Sequence, residues 1–334
     1  MILTTPLLER LSRAGPVHVI ATPANAAIVA NHPAVTSVIV FDKRGADRGL
    51  SGVRRVARVA RATGATTAYL AQGSLRTASI AWLAGVPERV GFDTSPGRLL
   101  YTRQVRFRRT WHHAQRLWSL GNSASERDDV QPPTLRPSLH PSDADRAQAK
   151  SLLTAHGVHD GEALVALAPG SVWATKRWPS YDALAAALLA VFAGGTLPRL
   201  VVLGAAGDAP LAAAITDAVR AVGGVPVIDA TGRLSLLGSA ALLERVQVLI
   251  TNDSAPLHLA SAVNTPTVAL FGPTTPALGF GPLSERRAIV QQDLGCRPCG
   301  AHGARTCPLG HWDCMRTLRV PSVVAAISEV TAMP

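Results

Sequence analysis

The chain has 334 residues, 47% of them hydrophobic and 16% charged, enough for two ordinary domains that each bury a core without staples. No apolar run reaches the roughly 18–20 residues of a membrane span, and no basic, apolar, small-residue signal opens the sequence, so a cytoplasmic protein is expected. The formal charge is +11, but with 4% aromatics and no recognisable reader motif, nucleic acid ranks last among the anionic partners that such a charge attracts.

Taken in order, residues 17–21, 37–41, 66–70 and 89–92 are β-branched runs that read as strands, with Ala- and Arg-rich helical stretches between them. That alternation predicts parallel βαβ units and an α/β fold. The charge excess lies here. Residues 1–150 hold 21 Lys and Arg against 10 Asp and Glu, whereas residues 151–334 hold 12 of each. Arg54, Arg55, Arg58 and Arg61 form one cluster, and Arg103, Arg106, Arg108 and Arg109 another; on a helix Arg54, Arg58 and Arg61 share a face. Either cluster reads equally as a solvated helix face or as an anion-attracting surface. Residues 123–141 carry four prolines and a run of acids, which predicts a linker and domains of 1–141 and 142–334. A helix at 142–156 leads into the second half. There the apolar runs are 164–168, 199–203, 225–229, 246–250, 266–271 and 287–290, and a helix at 320–333 closes the chain.

Polar groups in this half sit where strands end. Asn252, Asp253 and Ser254 follow the fourth run and offer N-cap chemistry to a helix starting near Pro256; Gly272 to Thr275 follow the fifth. In an open α/β sheet, ligands sit outside the carboxyl ends of strands, so Asp253, Ser254, Ala255, His258 and Thr274 are expected to converge. The loop with Gly170 and Ser171 suits a diphosphate by close backbone approach, with Thr175 and Lys176 adding a hydroxyl and a cation. Thr231, Gly232 and Leu234 are in position to frame a nucleotide base. Plainer readings stand beside these: a Pro-Gly turn, an N-cap aspartate, a packed helix histidine.

Cys296, Cys299, Cys307 and Cys314, with His302 and His311 interspersed, suggest a metal more than disulfides in a reducing compartment. A closed structural zinc site of four thiolates is the expectation; an iron-sulfur cluster and free thiols are the alternatives.

Four stretches, LTTPLLERL at 3–11, VGFDTSPGRLLYTRQV at 90–105, APGSVWATKRWP at 168–179 and residues 251–276, resemble bacterial glycosyltransferase family 9, the heptosyltransferases of lipopolysaccharide core assembly. The resemblance implies a GT-B fold, two Rossmann-like domains facing across a cleft. It implies an inverting, metal-independent transfer that needs no cofactor, from ADP-heptose to a lipopolysaccharide inner-core acceptor, with peripheral contact at the inner membrane's cytoplasmic face. The N-terminal domain would take the acceptor through Arg103, Arg106 and His112. The C-terminal domain would take the donor, Lys176 reaching its diphosphate, so that Lys176→Ala is expected to damage turnover more than folding. Family members also place a strand and a Gly-Asp loop, carrying the general-base aspartate, before the stretch that begins here at Ile2. The expectation is therefore an internal Met1 and a true start upstream. Rival readings are a catalytically inactive sugar-nucleotide binder, a transferase with another donor, and a related epimerase.

Overall fold

The computed structural model describes residues 1–123, 130–191 and 198–331, so part of the expected linker and the end of the closing helix lie outside the described residues. The chain divides into two compact units, Met1–His140 and Pro141–Pro334.

The N-terminal unit runs α1 (Thr5–Ser12), β1 (His18–Ala21), α2 (Pro23–Val29), β2 (Ser37–Val40), α3 (Gly49–Ala62), β3 (Thr67–Leu70), α4 (Leu75–Leu83), β4 (Glu88–Phe92), β5 (Arg103–Val105) and α5 (His113–Ser119). Every strand pairing is parallel. The apolar positions of α3, Val53, Val56, Ala57 and Ala60, fall on one face and join Ile39, Phe41, Ile80 and Val86 in a core, as a helical period requires. Two arginines of this helix are structural. Arg55 forks onto buried Asp47, and Arg61 donates to the carbonyls of Leu83 and Ala84 at the end of α4. The sheet is broken: β1 pairs with β2, β3-β4-β5 form a separate triplet, and no strand among the described residues joins them. Strand β5, only three residues long, has no signal in the sequence pattern.

The C-terminal unit runs α6 (Asp143–Ala155), β6 (Leu164–Ala168), α7 (Tyr181–Val191), β7 (Arg199–Val202), α8 (Ala209–Ala221), β8 (Ile228–Asp229), α9 (Leu236–Leu243), β9 (Val248–Asn252), α10 (Ala255–Val263), β10 (Thr267–Phe271), β11 (Arg287–Gln291), α11 (Asp313–Arg316) and α12 (Val320–Thr331). Helix α6 starts on a capping box between Ser142 and Asp145. One six-stranded parallel sheet holds the order β11-β10-β9-β6-β7-β8. Strands β6, β9 and β10 are buried at every position, which is why they read as continuous apolar runs. Edge strand β11 alternates, and the expected strand at 225–229 shrinks to the two residues of β8. The order reverses at β6: the chain builds outward through β7 and β8, then returns to lay β9 on the other side of β6. That gap between β6 and β9 is the topological switch point, where loops after adjacent strands splay apart.

Candidate functional site

At this switch point the loop after β6 and the loop after β9 are tied together by Asn252. Its side-chain Nδ2 donates to Pro169 O at 2.8 Å, and its Oδ1 accepts from Trp178 N at 3.2 Å and from Tyr181 OH at 3.4 Å. Asn252 and its three partners are all buried. The next residue is the centre of the site. Asp253 Oδ2 accepts from Lys176 Nζ at 2.6 Å and from Thr274 Oγ1 at 2.6 Å, so three loops, after β6, β9 and β10, meet on one carboxylate. The side chains of Lys176 and Asp253 are only 10% and 8% exposed. A second donor of the Lys176 ammonium reaches Asp253 O at 3.3 Å.

Asp253 is therefore not the N-cap that its position suggests. The cap position of α10 falls on Ser254, whose side chain makes no capping hydrogen bond, and the helix opens with Ala255 and Pro256. An uncapped helix start leaves its backbone N–H groups and the positive end of the helix dipole able to receive an anion. The carboxylate does not oppose an anion here, because Lys176 and Thr274 already neutralise and satisfy it. The arrangement also changes what Lys176 does for stability. Removing one member of a buried ion pair leaves the other charge unpaired, at a cost of about 3–5 kcal/mol, so Lys176→Ala is expected to damage folding whatever its effect on turnover.

The other expected residues divide into two groups. His258, one turn into α10, lies beside Phe280 with ring centroids 6.4 Å apart. Ser171 Oγ accepts from Trp173 N at 3.3 Å and its carbonyl from Arg177 Nε at 2.9 Å, shaping the turn that delivers Lys176. A Cβ on Gly170 would stand 2.3 Å from the carboxylate of Asp208 and would push it off Ala205 N, from which it accepts at 2.9 Å. Gly232 adopts φ +67, and Thr231 is fixed on Asp229 through both N and Oγ1; half-buried Leu234 follows. These stand at the carboxyl edge after β8. Thr175 is committed elsewhere, its hydroxyl donating to Ala304 O and accepting from Ala304 N at 3.1 Å. In the N-terminal unit Arg103 pairs with Glu88 at 3.1 Å, Arg106 is exposed, and His112 caps α5 in a box with Gln115.

The cysteines require a correction. All four are free thiols, and among the described residues no group of three or more His, Cys, Asp or Glu is placed to hold a metal ion; structural zinc is not supported. Their segment instead braces the site. Arg297, between Cys296 and Cys299, donates to the carbonyls of Phe271, Gly272 and Thr274, the last at 2.7 Å, closing the end of β10. Cys299 N donates to Pro273 O at 2.8 Å, and Trp312 Nε1 to Thr175 O at 2.8 Å. Burial and then the neighbouring thiols push the Cys314 thiol up to about 11, whereas backbone donors, Trp312 first, draw Cys307 below the usual thiol value. Sequence reasoning missed Arg297 and Asn252 as positioning residues. An asparagine ending a fully buried strand was the available signal for the second.

With this geometry in view, comparison with known proteins decides the family. The sequence profile of Glycosyltransferase family 9 (heptosyltransferase) matches residues 53–312. The chain belongs to glycosyltransferase family 9. This family 9 chain is 25% identical over 235 residues to Lipopolysaccharide heptosyltransferase 2 of Escherichia coli, covering 68% of this chain and 65% of that protein. It is 29% identical over 166 residues to Lipooligosaccharide heptosyltransferase 2 of Haemophilus influenzae, covering 49% and 46%. The matches thus span about half to two thirds of these curated relatives. Its fold is that of a family 9 glycosyl transferase from Veillonella parvula (TM-score 0.82, 24% identity, covering 99% of this chain and 93% of that one). The ADP-heptose heptosyltransferase II of Escherichia coli shares it too (TM-score 0.77, 21% identity, 98% and 94%).

Proposed function

We propose that this family 9 protein is an inverting heptosyltransferase, moving a heptose from ADP-heptose to an inner-core sugar of a lipopolysaccharide acceptor. The observation that carries the reading is the buried Lys176–Asp253–Thr274 cluster beside the uncapped start of α10, at the switch point of the C-terminal sheet. The names of the curated relatives support the heptose and the acceptor.

In this reading the C-terminal unit holds the donor. The Lys176 ammonium and the amides of Ser254 and Ala255 take the diphosphate, with the backbone at Gly170 and Ser171 beside it and His258 donating to a phosphate oxygen. Thr231, Gly232 and Leu234 flank the base. The acceptor oxygen forms a bond to the anomeric carbon as the bond from that carbon to the diphosphate breaks; the ADP carries away the electron pair, and stabilising its charge is the task of Lys176 and the helix start. The acceptor belongs to the N-terminal unit, with Arg103, Arg106 and the region of His112 on its side. The acceptor proton passes to a general base on the acceptor's side.

The test is transfer by this chain to a deep-truncated core acceptor from ADP-heptose and, in parallel, from ADP-glucose. Transfer from ADP-heptose alone is the expected result. Transfer from neither overturns the donor assignment, and a donor-induced thermal shift without turnover would then favour a binding role. Equal transfer from both overturns the choice of heptose.

A further inference from the structure

All four cysteines of the chain fall within residues 296–314, and this segment lies on the lysine of the candidate site. The closest approach is at Gly303, where a Cβ would stand 3.3 Å from both Lys176 Cε and Pro273 Cγ. Beside it Ala304 accepts from Thr175 Oγ1 through its carbonyl and donates back to that hydroxyl at 3.1 Å. Cys299 N donates to the carbonyl of the same Pro273 at 2.8 Å, so the chain between Cys299 and Gly303 turns back on one proline. The thiols have different surroundings. Backbone amides of Trp312, Leu309, Gly310 and His311 are directed at the half-buried Cys307 sulfur, a nest that suits a thiolate. Cys299 instead keeps its proton, donating from Sγ to Cys296 O at 3.2 Å. Burial, then charge at Cys296 and at Cys307, pushes its pKa up, which puts Cys299 and Cys307 within electrostatic reach of each other.

We propose that Cys307 is a peroxide-sensitive modification site, resolved by Cys299 as a disulfide that loosens the cover over Lys176. The Cys307 thiolate attacks one oxygen of hydrogen peroxide and the O–O bond breaks. The other oxygen takes a proton and leaves as water, and Cys307 becomes a sulfenic acid. The Cys299 thiol then gives up its proton and its sulfur bonds to the Cys307 sulfur as the S–O bond breaks, releasing a second water. Both electrons that reduce the peroxide come from the two sulfurs. The disulfide takes the Cys307 sulfur off the amide of Trp312, whose indole donates to Thr175 O at 2.8 Å, and closes a loop around Gly303 and Ala304. The two contacts that hold the loop of Lys176 from this side are therefore the ones that oxidation disturbs. The inference rests on the proposed function only in its nucleotide readout.

The experiment treats the reduced full chain with hydrogen peroxide and maps its cysteines by mass spectrometry. Wild type should yield peptides linked through Cys299 and Cys307, and dithiothreitol should separate them. Cys307→Ser should give no such link, whereas Cys299→Ser should stop at a sulfenic acid on Cys307 that dimedone traps. In hydrogen exchange the amides of Thr175 and Ala304 should open faster in the oxidised chain than in the reduced one. ADP should bind the oxidised chain about tenfold more weakly, and Cys307→Ser should bind it equally before and after peroxide. Unchanged melting temperatures of the reduced variants show that they are folded. A different cysteine pair, first oxidation at Cys296 or Cys314, or a disulfide that leaves exchange at Thr175 and Ala304 unaltered overturns the proposal. So does a metal ion bound stoichiometrically to the purified chain that shields Cys307 from peroxide. A reduced chain that fails to bind ADP counts against the proposed function alone, since the disulfide and the exchange are read without nucleotide.

Discussion

In the C-terminal unit six strands continue without a break, and the two innermost loops are joined by a buried asparagine before any functional side chain is reached. In the N-terminal unit the strands are as parallel but fall into a pair and a triplet, and β1 and β3 each have a single strand partner among the described residues. The contrast teaches where a site can be preorganised. Lys176 and Thr274 converge on Asp253 because β6, β9 and β10 are locked side by side; a catalytic group on the broken sheet has no such frame. The two regions also divide the physics, since the continuous sheet carries a neutralised ion-pair cluster and the broken one nearly all of the excess positive charge.

The largest test of that contrast is on the cluster. Lys176→Met and Asp253→Leu should each destabilise the C-terminal unit by about 3–5 kcal/mol in urea unfolding and reduce transfer about 10²–10³-fold. The double variant should recover much of the stability and none of the activity. Full activity in either single variant would remove the pair from the mechanism. Next, Asn252→Ala orphans Pro169 O and Trp178 N–H, at about 1–3 kcal/mol for each buried group, and weakens nucleotide binding because the two loops are no longer joined; calorimetric titration with ADP reads this. Third, hydrogen exchange should find the amides of β1 and β3 opening at lower free energy than those of β6 and β9. Equal protection in the two sheets would mean that the broken sheet is as secure as the continuous one.

The smallest effect concerns acid. His32 is buried, accepts at Nδ1 from Ala34 N at 3.2 Å and contacts Ser138 Oγ through Nε2 at 3.0 Å, a pattern that suits the neutral ring. Burial, then His140, lowers its pKa from the ordinary 6.5, while Glu9 opposes the shift. The unfolded chain therefore binds this proton more readily, and the stability it contributes is present above pH 6.5 and lost as pH falls from there through the folded value. Thermal melting of the N-terminal unit should weaken across that window, and His32→Gln should flatten the dependence.

Much of the C-terminal fold was legible because strands buried on both faces announce themselves: LVALA, VLITN and TVALF have no other comfortable reading. The loops after them were legible for the same reason, as abrupt polarity at a strand end. What each polar group does there was not. Asp253 looks like a cap from its place before a helix, and only the fold, bringing Lys176 from 77 residues away, makes it an ion-pair centre. The cysteine spacing suggested a metal, yet the segment's closest structural connections run through Arg297 and backbone amides, which no spacing rule encodes. In the N-terminal unit the runs at 17–21 and 66–70 mark strands correctly but say nothing of their neighbours, so the split into a pair and a triplet could not be read from them.

The pairing of β9 with β6 has a consequence for synthesis on the ribosome. Asn252 and Pro169 are 83 residues apart, so at roughly 5–20 residues per second one edge of β6 waits several seconds for its partner. During that interval β6 and β7 form an apolar edge open to the wrong strand, and the anion site does not yet exist. A nucleotide bound as proposed would therefore stabilise the finished unit by mass action, but it could not guide the assembly of the loops that bind it.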